Sequence, residues 1–369
     1  MNFMQKTISF FLLILVVLVY FLQREREYDD VILLGSSLPK SGIMKEFGHS
    51  VHNGADAYFR YSNDHGLLQG KKIKFVAYDD KYEPDIMLEN THRLLTNEDL
   101  FLLFGFVGTP TIKRVLFTIK NSDIPFVAPI TGADFLREKQ HHSVVNFRAS
   151  YHEEIASIID YLYNQKNIRK FGVFYQNDDY GESGYISVIN ILTKYGLKRT
   201  ASGSYKRNTL SLKQALNDIA KDKPEAIIMI GAYQPNALFI EKARNTDNLK
   251  NALFASISFG DADEMTKTLD YNATNIVFSQ VVQSYNAQTQ VVDEYKKIFK
   301  MYYPKKSYDF LSLEAFLSAK MTVQALQNTV GDITRSNFLQ QIQKTIKQNS
   351  HFSKVYLYQF ANGQFIEIK

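Results

Sequence analysis

The chain has 369 residues, is 45% apolar and 22% charged, and carries a formal net charge of +5. That length suits two domains with substantial cores, and the balance excludes a disordered chain. The basic residues lie scattered among nearly as many acids, with no basic run and no nucleic-acid motif, so no nucleic-acid partner is expected; the absence of cysteine excludes disulfides, thiol chemistry, cysteine-ligated zinc and a lipid-modified amino-terminal cysteine.

The chain opens on an uncharged apolar run, Ile8–Leu22, preceded by Lys6 and followed by Gln23-Arg24-Glu25-Arg26. It is apolar all round, unlike a half-buried helix, and suits a secretory core or a short membrane anchor. Tyr20, Phe21 and Leu22 are too bulky for a cleavage site, so an uncleaved anchor with an exported body is expected. Residues 1–29 are read as this anchor and a charged spacer.

Strands and helices then alternate. Val31–Leu38 reads as a strand, His49–Asn63 as a helix with Val51, Ala55, Tyr58 and Tyr61 on one stripe, Lys72–Asp79 as a strand and Asp85–Thr96 as a helix. The stretch Leu100–Leu136 is central. Leu100–Val107 is a continuous apolar run, as in a strand covered on both faces, and Gly108 permits a tight turn. Thr109 stands where an N-cap belongs and Pro110 where a first helical residue belongs. A second strand, Ile124–Ala128, ends at Pro129-Ile130-Thr131-Gly132. Two strand ends thus carry Thr beside Gly, each opening towards a helix, and such carboxyl ends bind ligands in open α/β sheets. Simple helix capping is the alternative role for both threonines.

Tyr151–Asn164 is the next expected helix, and a second alternating series starts at Lys170–Gln176. It continues through helix Gly184–Tyr195, a strand near Leu197–Tyr205, helix Ser211–Lys221, strand Ala226–Gly231, helix Pro235–Asn245 and strands Leu253–Ser258 and Asn275–Val282. Helices Gln290–Tyr302, Leu311–Asn328 and Arg335–Lys347 follow, and Val355–Phe360 with Gln364–Ile368 forms a hairpin around Asn362-Gly363. The pattern predicts an α/β chain of two doubly wound parallel-sheet lobes, with a ligand cleft between them.

No dinucleotide, P-loop or nucleophile-elbow motif occurs. The His49/His52 and His141-His142 pairs lack partner ligands at metal-binding spacing and read as solvated; Asp79-Asp80 and Asp178-Asp179 read as caps or acceptors. No nucleophile–base constellation appears, so no catalytic residue, metal or cofactor is expected. What remains is a set of aromatics at second-lobe strand ends, Tyr180-Gly181, Tyr233 and Phe259-Gly260, opposite Thr109 and Thr131.

In order and spacing, several segments resemble the extracytoplasmic solute-binding proteins of the leucine/isoleucine/valine-binding type. They are Ser37–Gly42 with Phe47-Gly48, Tyr78-Asp79-Asp80 with Pro84, Gly105–Thr111, Phe126–Arg137, Asn146–Tyr151, Val173–Gly181, Gly231–Pro235 and Leu313–Phe316. The resemblance implies a periplasmic-binding fold of type I with a three-strand hinge near Phe147–Tyr151, Val281–Ser284 and His351–Val355. It implies a first lobe of 30–148 plus 284–350 and a second of 149–283 plus 351–369. It further implies a monomer that captures a small polar ligand (amino acid, amide, urea-like compound or carboxylate) by hinge closure and delivers it to an ABC permease. A receptor domain serving a separate signalling partner is the alternative. Ligand residues carried over are Phe47, Gly108, Thr109, Thr131, Gly132, Tyr180 and Tyr233. Where the amino-acid binders hold the ligand ammonium with a glutamate, this chain offers Ser258, with Asp261 and Asp263 downstream.

Overall fold

The structure is a computed structural model that describes residues 31–97, 99–138, 141–197, 200–348 and 354–368. The expected anchor Ile8–Leu22 and the His351–Ser353 part of the expected third hinge crossing lie outside the described residues. Among the described residues, no helix is long and apolar enough to cross a membrane.

The first series runs β1 (Val31–Leu38), α1 (Lys45–Asp64), β2 (Lys72–Asp79), α2 (Pro84–Leu95), β3 (Leu100–Phe104), α3 (Thr109–Lys120), β4 (Phe126–Val127) and β5 (Val144–Val145). Its strands form a five-stranded parallel sheet in the order β2-β1-β3-β4-β5. β3, LFLLF, is almost wholly buried because helices cover both faces. β4 is only two residues long; Pro125 and Pro129 flank it, and neither has an N–H for a ladder.

The chain then crosses to α4 (Tyr151–Asp160), β6 (Phe171–Gln176), α5 (Asp179–Lys194), β7 (Ala201–Tyr205), α6 (Lys213–Lys221), β8 (Ala226–Ile230), α7 (Tyr233–Arg244), β9 (Leu253–Ser256), α8 (Ala262–Thr268) and β10 (Ile276–Gln280). Ser150 starts α4 with a capping box: its hydroxyl accepts from the Glu153 N–H, and the Glu153 carboxylate accepts from the Ser150 N–H. α4 passes into a π turn at Tyr161–Gln165. α5 starts earlier than the expected Gly184, because Asp178 caps it by accepting from the Tyr180 N–H at 3.1 Å.

After β10 come α9 (Gln290–Tyr302) and α10 (Phe310–Gln327), which pack against α1, and α11 (Arg335–Gln348), which packs against α10. The chain ends in β11 (Tyr356–Ala361) and β12 (Gln364–Ile368), an antiparallel hairpin that joins the second sheet. That sheet has seven strands in the order β12-β11-β10-β9-β8-β6-β7, with β6 to β10 parallel. Two α/β lobes result, as the alternation predicts.

Candidate functional site

A short zip of backbone bonds brings the two threonine loops together. Val107 and Ile130 form a parallel bridge, the Gly108 N–H donates to the Ile130 carbonyl at 3.2 Å, and the Ile130 N–H donates to the Phe106 carbonyl at 2.8 Å. Gly108 (φ 102°) is itself the N-cap, which moves Thr109 to the first helical position and Pro110 to the second. Any Cβ at Gly108 would strike the Tyr82 ring at 2.4 Å. The Thr109 hydroxyl, free of capping duty, meets the Thr131 hydroxyl at 2.7 Å. The Tyr151 hydroxyl lies 3.3 Å from Thr109 and 3.2 Å from Thr131. Gly132 holds this third member in place, since its carbonyl accepts from the Tyr151 N–H at 2.9 Å. Three buried hydroxyls therefore cluster at the N-terminus of α3, where backbone amides favour a negative group.

Second-lobe side chains face this cluster. The Tyr180 ring lies 5.4 Å from that of Tyr151, and its buried hydroxyl has no hydrogen-bond partner among the described residues. Burial pushes that phenol well above its ordinary pKa, so it stays a neutral donor. Gln176 and Tyr205 tie the strand-end loops together: the Tyr205 hydroxyl donates to Gln176 Oε1 at 3.0 Å and accepts from the Ala232 N–H at 2.9 Å. Gln176 Nε2 donates to Asp178 Oδ2 at 2.8 Å and reaches the Tyr82 hydroxyl of the first lobe at 3.4 Å.

Phe47, on α1, packs its ring 4.9 Å from that of Phe259. Tyr233 begins α7 and is buried; burial, then the charges of Asp261, Glu264 and Glu46, raise its pKa. Ser258 is committed elsewhere. Its N–H and hydroxyl donate to Glu154 at 2.8 and 2.9 Å, and Arg148 donates to its hydroxyl. Ser279 also donates to Glu154, at 2.6 Å, while Arg148 Nε lies 3.4 Å from Glu314. Asp261 caps α8 from a left-handed conformation (φ 53°), accepting from the Glu264 N–H at 3.2 Å. Burial and the neighbouring charges of Asp263 and Asp309 raise its pKa well above the carboxylate range.

The structure thus brings Phe47, Gly108, Thr109, Thr131, Gly132 and Tyr180 to one seam between the lobes. Phe259, expected from the sequence among the aromatics opposite Thr109 and Thr131, lies in that seam, and Tyr82 and Tyr151 belong to it without having been assigned to it from the sequence. Phe259-Gly260 carried the same aromatic–glycine strand-end signal as Tyr180-Gly181. Tyr82 follows the acidic pair Asp79-Asp80, and Tyr151 reads in sequence only as a helix start. Those acids act as acceptors: Asp79 takes the Lys40 N–H at 2.8 Å and the Ser41 hydroxyl at 2.6 Å, and Asp80 takes the Ser37 hydroxyl and Tyr82 N–H, both at 2.8 Å. His141 is buried rather than solvated. Among the described residues, no group of three or more His, Cys, Asp or Glu side chains is arranged to hold a metal ion.

Further contacts close the lips of the seam. Arg207 Nη2 pairs with Glu83 Oε2 of the first lobe at 3.0 Å, and Asn208 donates to Glu83 Oε1 at 2.6 Å. Lys113 of α3 pairs with Asp179 of α5, and the Phe310 N–H donates to Asp263 Oδ2 at 2.9 Å.

The periplasmic binding protein family model matches residues 31–362. A Leu/Ile/Val-binding protein homolog 7 from Brucella abortus (strain 2308) is 22% identical over 315 residues, 81% of this chain and 78% of that protein. The crystal structure of a possible leucine/isoleucine/valine-binding protein from Rhodopirellula baltica SH 1 superposes with a TM-score of 0.85 at 29% identity, over 92% of this chain and 96% of the other. A substrate-binding periplasmic protein from Ralstonia solanacearum gives 0.83 at 22% identity, over 91% of this chain and all of that one (100%). With the family matched along almost the whole described body, the chain belongs to the periplasmic binding proteins.

Proposed function

We propose that this chain is an extracytoplasmic solute-binding protein that captures a small polar ligand in the seam between its lobes and delivers it to an ABC importer. The family works outside the cytoplasm, and its members bind solutes rather than transform them. One observation carries the ligand reading. A cluster of three buried hydroxyls at the N-terminus of α3 lies opposite a buried Tyr180 hydroxyl that has no hydrogen-bond partner among the described residues. An unmatched donor in a dry site costs free energy unless a ligand oxygen meets it. Ligand first meets Thr109, Thr131 and the turn amides; the second lobe then closes with Tyr180 and Tyr233, and the closed form is what a partner recognises. On this reading the lobes divide at 148/149 and 283/284, with these crossings acting as the hinge; the third expected crossing, at 350/351, lies outside the described residues.

A thermal-shift screen over amino acids, their amides, urea compounds and short carboxylic acids tests the reading, because a ligand that binds only the native state raises the melting temperature. The expected hit loses its shift in Thr109→Ala. A hit that Thr109→Ala and Tyr180→Phe both leave unchanged removes this seam from consideration. Delivery is tested separately, as stimulation of the cognate transporter's ATP hydrolysis by the liganded protein.

A further inference from the structure

Away from the hydroxyl cluster, α8 and α10 meet across the lobe boundary with acids on both sides. α8 packs against α7 of the second lobe, and α10 packs against α1 of the first. Asp263 of α8 accepts from the Phe310 N–H of α10 at 2.9 Å and from the Tyr285 hydroxyl at 2.7 Å. Next to that N–H donor stands Asp309, the N-cap of α10. It accepts from the Ser312 N–H at 2.7 Å and from the Ser50 hydroxyl of α1 at 3.1 Å. Asp261 caps α8 through Oδ1, while its Oδ2 is buried with no hydrogen-bond partner among the described residues. Asp261 and Asp263 are buried and Asp309 is partly buried.

The groups around these acids do not balance three negative charges. Lys267 of α8 acts on Asp263 and Asp309, but it also donates to Glu264, whose charge bears on Asp261. Tyr233 of α7 faces Asp261, and Tyr295 of α9 faces Asp309 and Asp263; burial raises both phenols, as it does Tyr285, so all three stay neutral. From α1, Ser50 gives a neutral hydroxyl, and Glu46 adds negative charge near Tyr233. Burial, then the charge of Asp309, raises the pKa of Asp263; burial raises that of Asp309 against the bonds from Ser312 and Ser50. The two titrate as a pair, because each charge disfavours the other.

Opening the seam takes the Phe310 N–H from Asp263, parts Asp263 from Asp309 and returns water to both. Each then ionises in the ordinary carboxylate range.

We propose that Asp263 and Asp309 form a proton-operated latch between the lobes: closing the seam takes a proton into the pair, and raising the pH favours the open form. Asp263 is a positioning residue that acts on capture through the angle between the lobes. A proton held more tightly in the closed form favours closure fully below the ordinary carboxylate pKa, and that advantage is lost as pH rises through the closed-state value. The proposal rests on the reading that the lobes close on a ligand, and its test contains no ligand.

The chain has no cysteine, so Phe117→Cys on α3 and Ile186→Cys on α5, at exposed positions on opposite lobes, accept a dye pair at those sites alone. Single-molecule energy transfer in the purified full chain then counts closed and open molecules. Between about pH 5.5 and about pH 8 the closed-to-open ratio is expected to fall at least about tenfold, the effect of one pKa unit held by the pair. Asp263→Asn keeps an acceptor for the Phe310 N–H without the charge. At about pH 8 it is expected to stay within about threefold of the native ratio at about pH 5.5, whereas a merely structural role would leave it open at every pH. Asp309→Asn keeps the N-cap of α10, is the second variant if the first does not fold, and is expected to flatten the pH dependence likewise. A native ratio that does not change with pH, a pH dependence that either folded variant retains, or an Asp263→Asn chain that is open throughout overturns the latch. A flat native ratio in a chain whose ligand binding is lost in Thr109→Ala overturns the latch and leaves the seam standing. A pH-dependent ratio lost in the Asn variants, in a chain whose ligand binding Thr109→Ala and Tyr180→Phe leave unchanged, upholds the latch and removes the seam as the ligand site.

Discussion

The Tyr180 hydroxyl is the most telling single group, because it is buried beside the hydroxyl cluster without a hydrogen-bond partner among the described residues. Replacing it with hydrogen removes an unmet polar group, so Tyr180→Phe is expected to leave stability unchanged or slightly raised while ligand affinity falls by about tenfold. Urea unfolding and calorimetric titration check the two halves. Tyr180→Ala is the poorer variant: emptying a fully buried aromatic position costs about 3–5 kcal/mol and confounds binding with folding. At this scale the sequence was legible in part. The pairing of Thr109 with Thr131 could be anticipated from two Thr–Gly strand ends. The partner of Ser258 could not. β9 stops at Ser256, two residues short of the expected strand end, and the turn that follows sends Ser258 towards Glu154 and Phe259 into the seam. A one-residue change of direction of that kind depends on tertiary contacts, which strand periodicity does not record.

Among the elements, α4 and α5 show how helix starts position the second lobe. The Ser150 capping box satisfies two otherwise orphaned N–H groups beside Tyr151, so Ser150→Ala is expected to cost about 1 kcal/mol in urea unfolding. Gly181, in the first turn of α5, lets the helix start press against β6: a Cβ there would lie 1.8 Å from the Gln176 carbonyl oxygen. Gly181→Ala is therefore expected to lower the melting temperature sharply and to disturb Tyr180, whereas alanine at an unhindered helical site would be mildly favourable. Element type and order were readable because apolar periodicity and turn residues agree along most of the chain. Element ends were less so. The first turn of α5 carries Asp179, Tyr180 and Gly181, weak helix formers that gain from the Asp178 cap, and the expected start at Gly184 missed that turn. α8 also went unread, being a short helix that begins at the strained, left-handed Asp261.

For the molecule as a whole, the lips of the seam carry a polar clamp. Arg207 bridges Glu83 of one lobe and Asp178 of the other, with Asn208 and the Lys113–Asp179 pair close by in the same junction. Partly exposed pairs of this kind contribute only about 0.2–1 kcal/mol, so Arg207→Met is expected to weaken ligand binding about two- to fivefold, through faster release, with the effect shrinking at high salt. Stopped-flow dissociation measures it, and unchanged release would assign the clamp a purely static role. Buried acids give the molecule a second global property. Burial raises Asp80 to about 7, against the opposing hydrogen bonds of Ser37 and Tyr82, and burial likewise raises Asp178, Asp309 and Glu314. Each such acid binds its proton more tightly folded than unfolded. Its contribution is therefore fully present below the ordinary carboxylate pKa and is lost as pH rises through the folded value. Calorimetry is expected to show a melting temperature that falls from pH 5 to pH 8, with a shallower fall in Asp80→Asn, of at most about 1.4 kcal/mol per pH unit for this one group.

The strand β11 protects the edge of β10 from a position far along the chain, Gln280 pairing with Tyr356 and Phe278 with Tyr358. Until those last residues arrive, β10 presents an edge that opens on the apolar run Ile276–Phe278, whose backbone donors and acceptors on one side have no partner. Refolding must then close a long loop before that row is covered, so the species that accumulates early is one with an open sheet margin. Self-association through that margin competes with the final step, and the outcome depends on protein concentration. Refolding yield is expected to fall as concentration rises, and removing β11 and β12 should give aggregates rather than a smaller folded lobe, with light scattering as the readout.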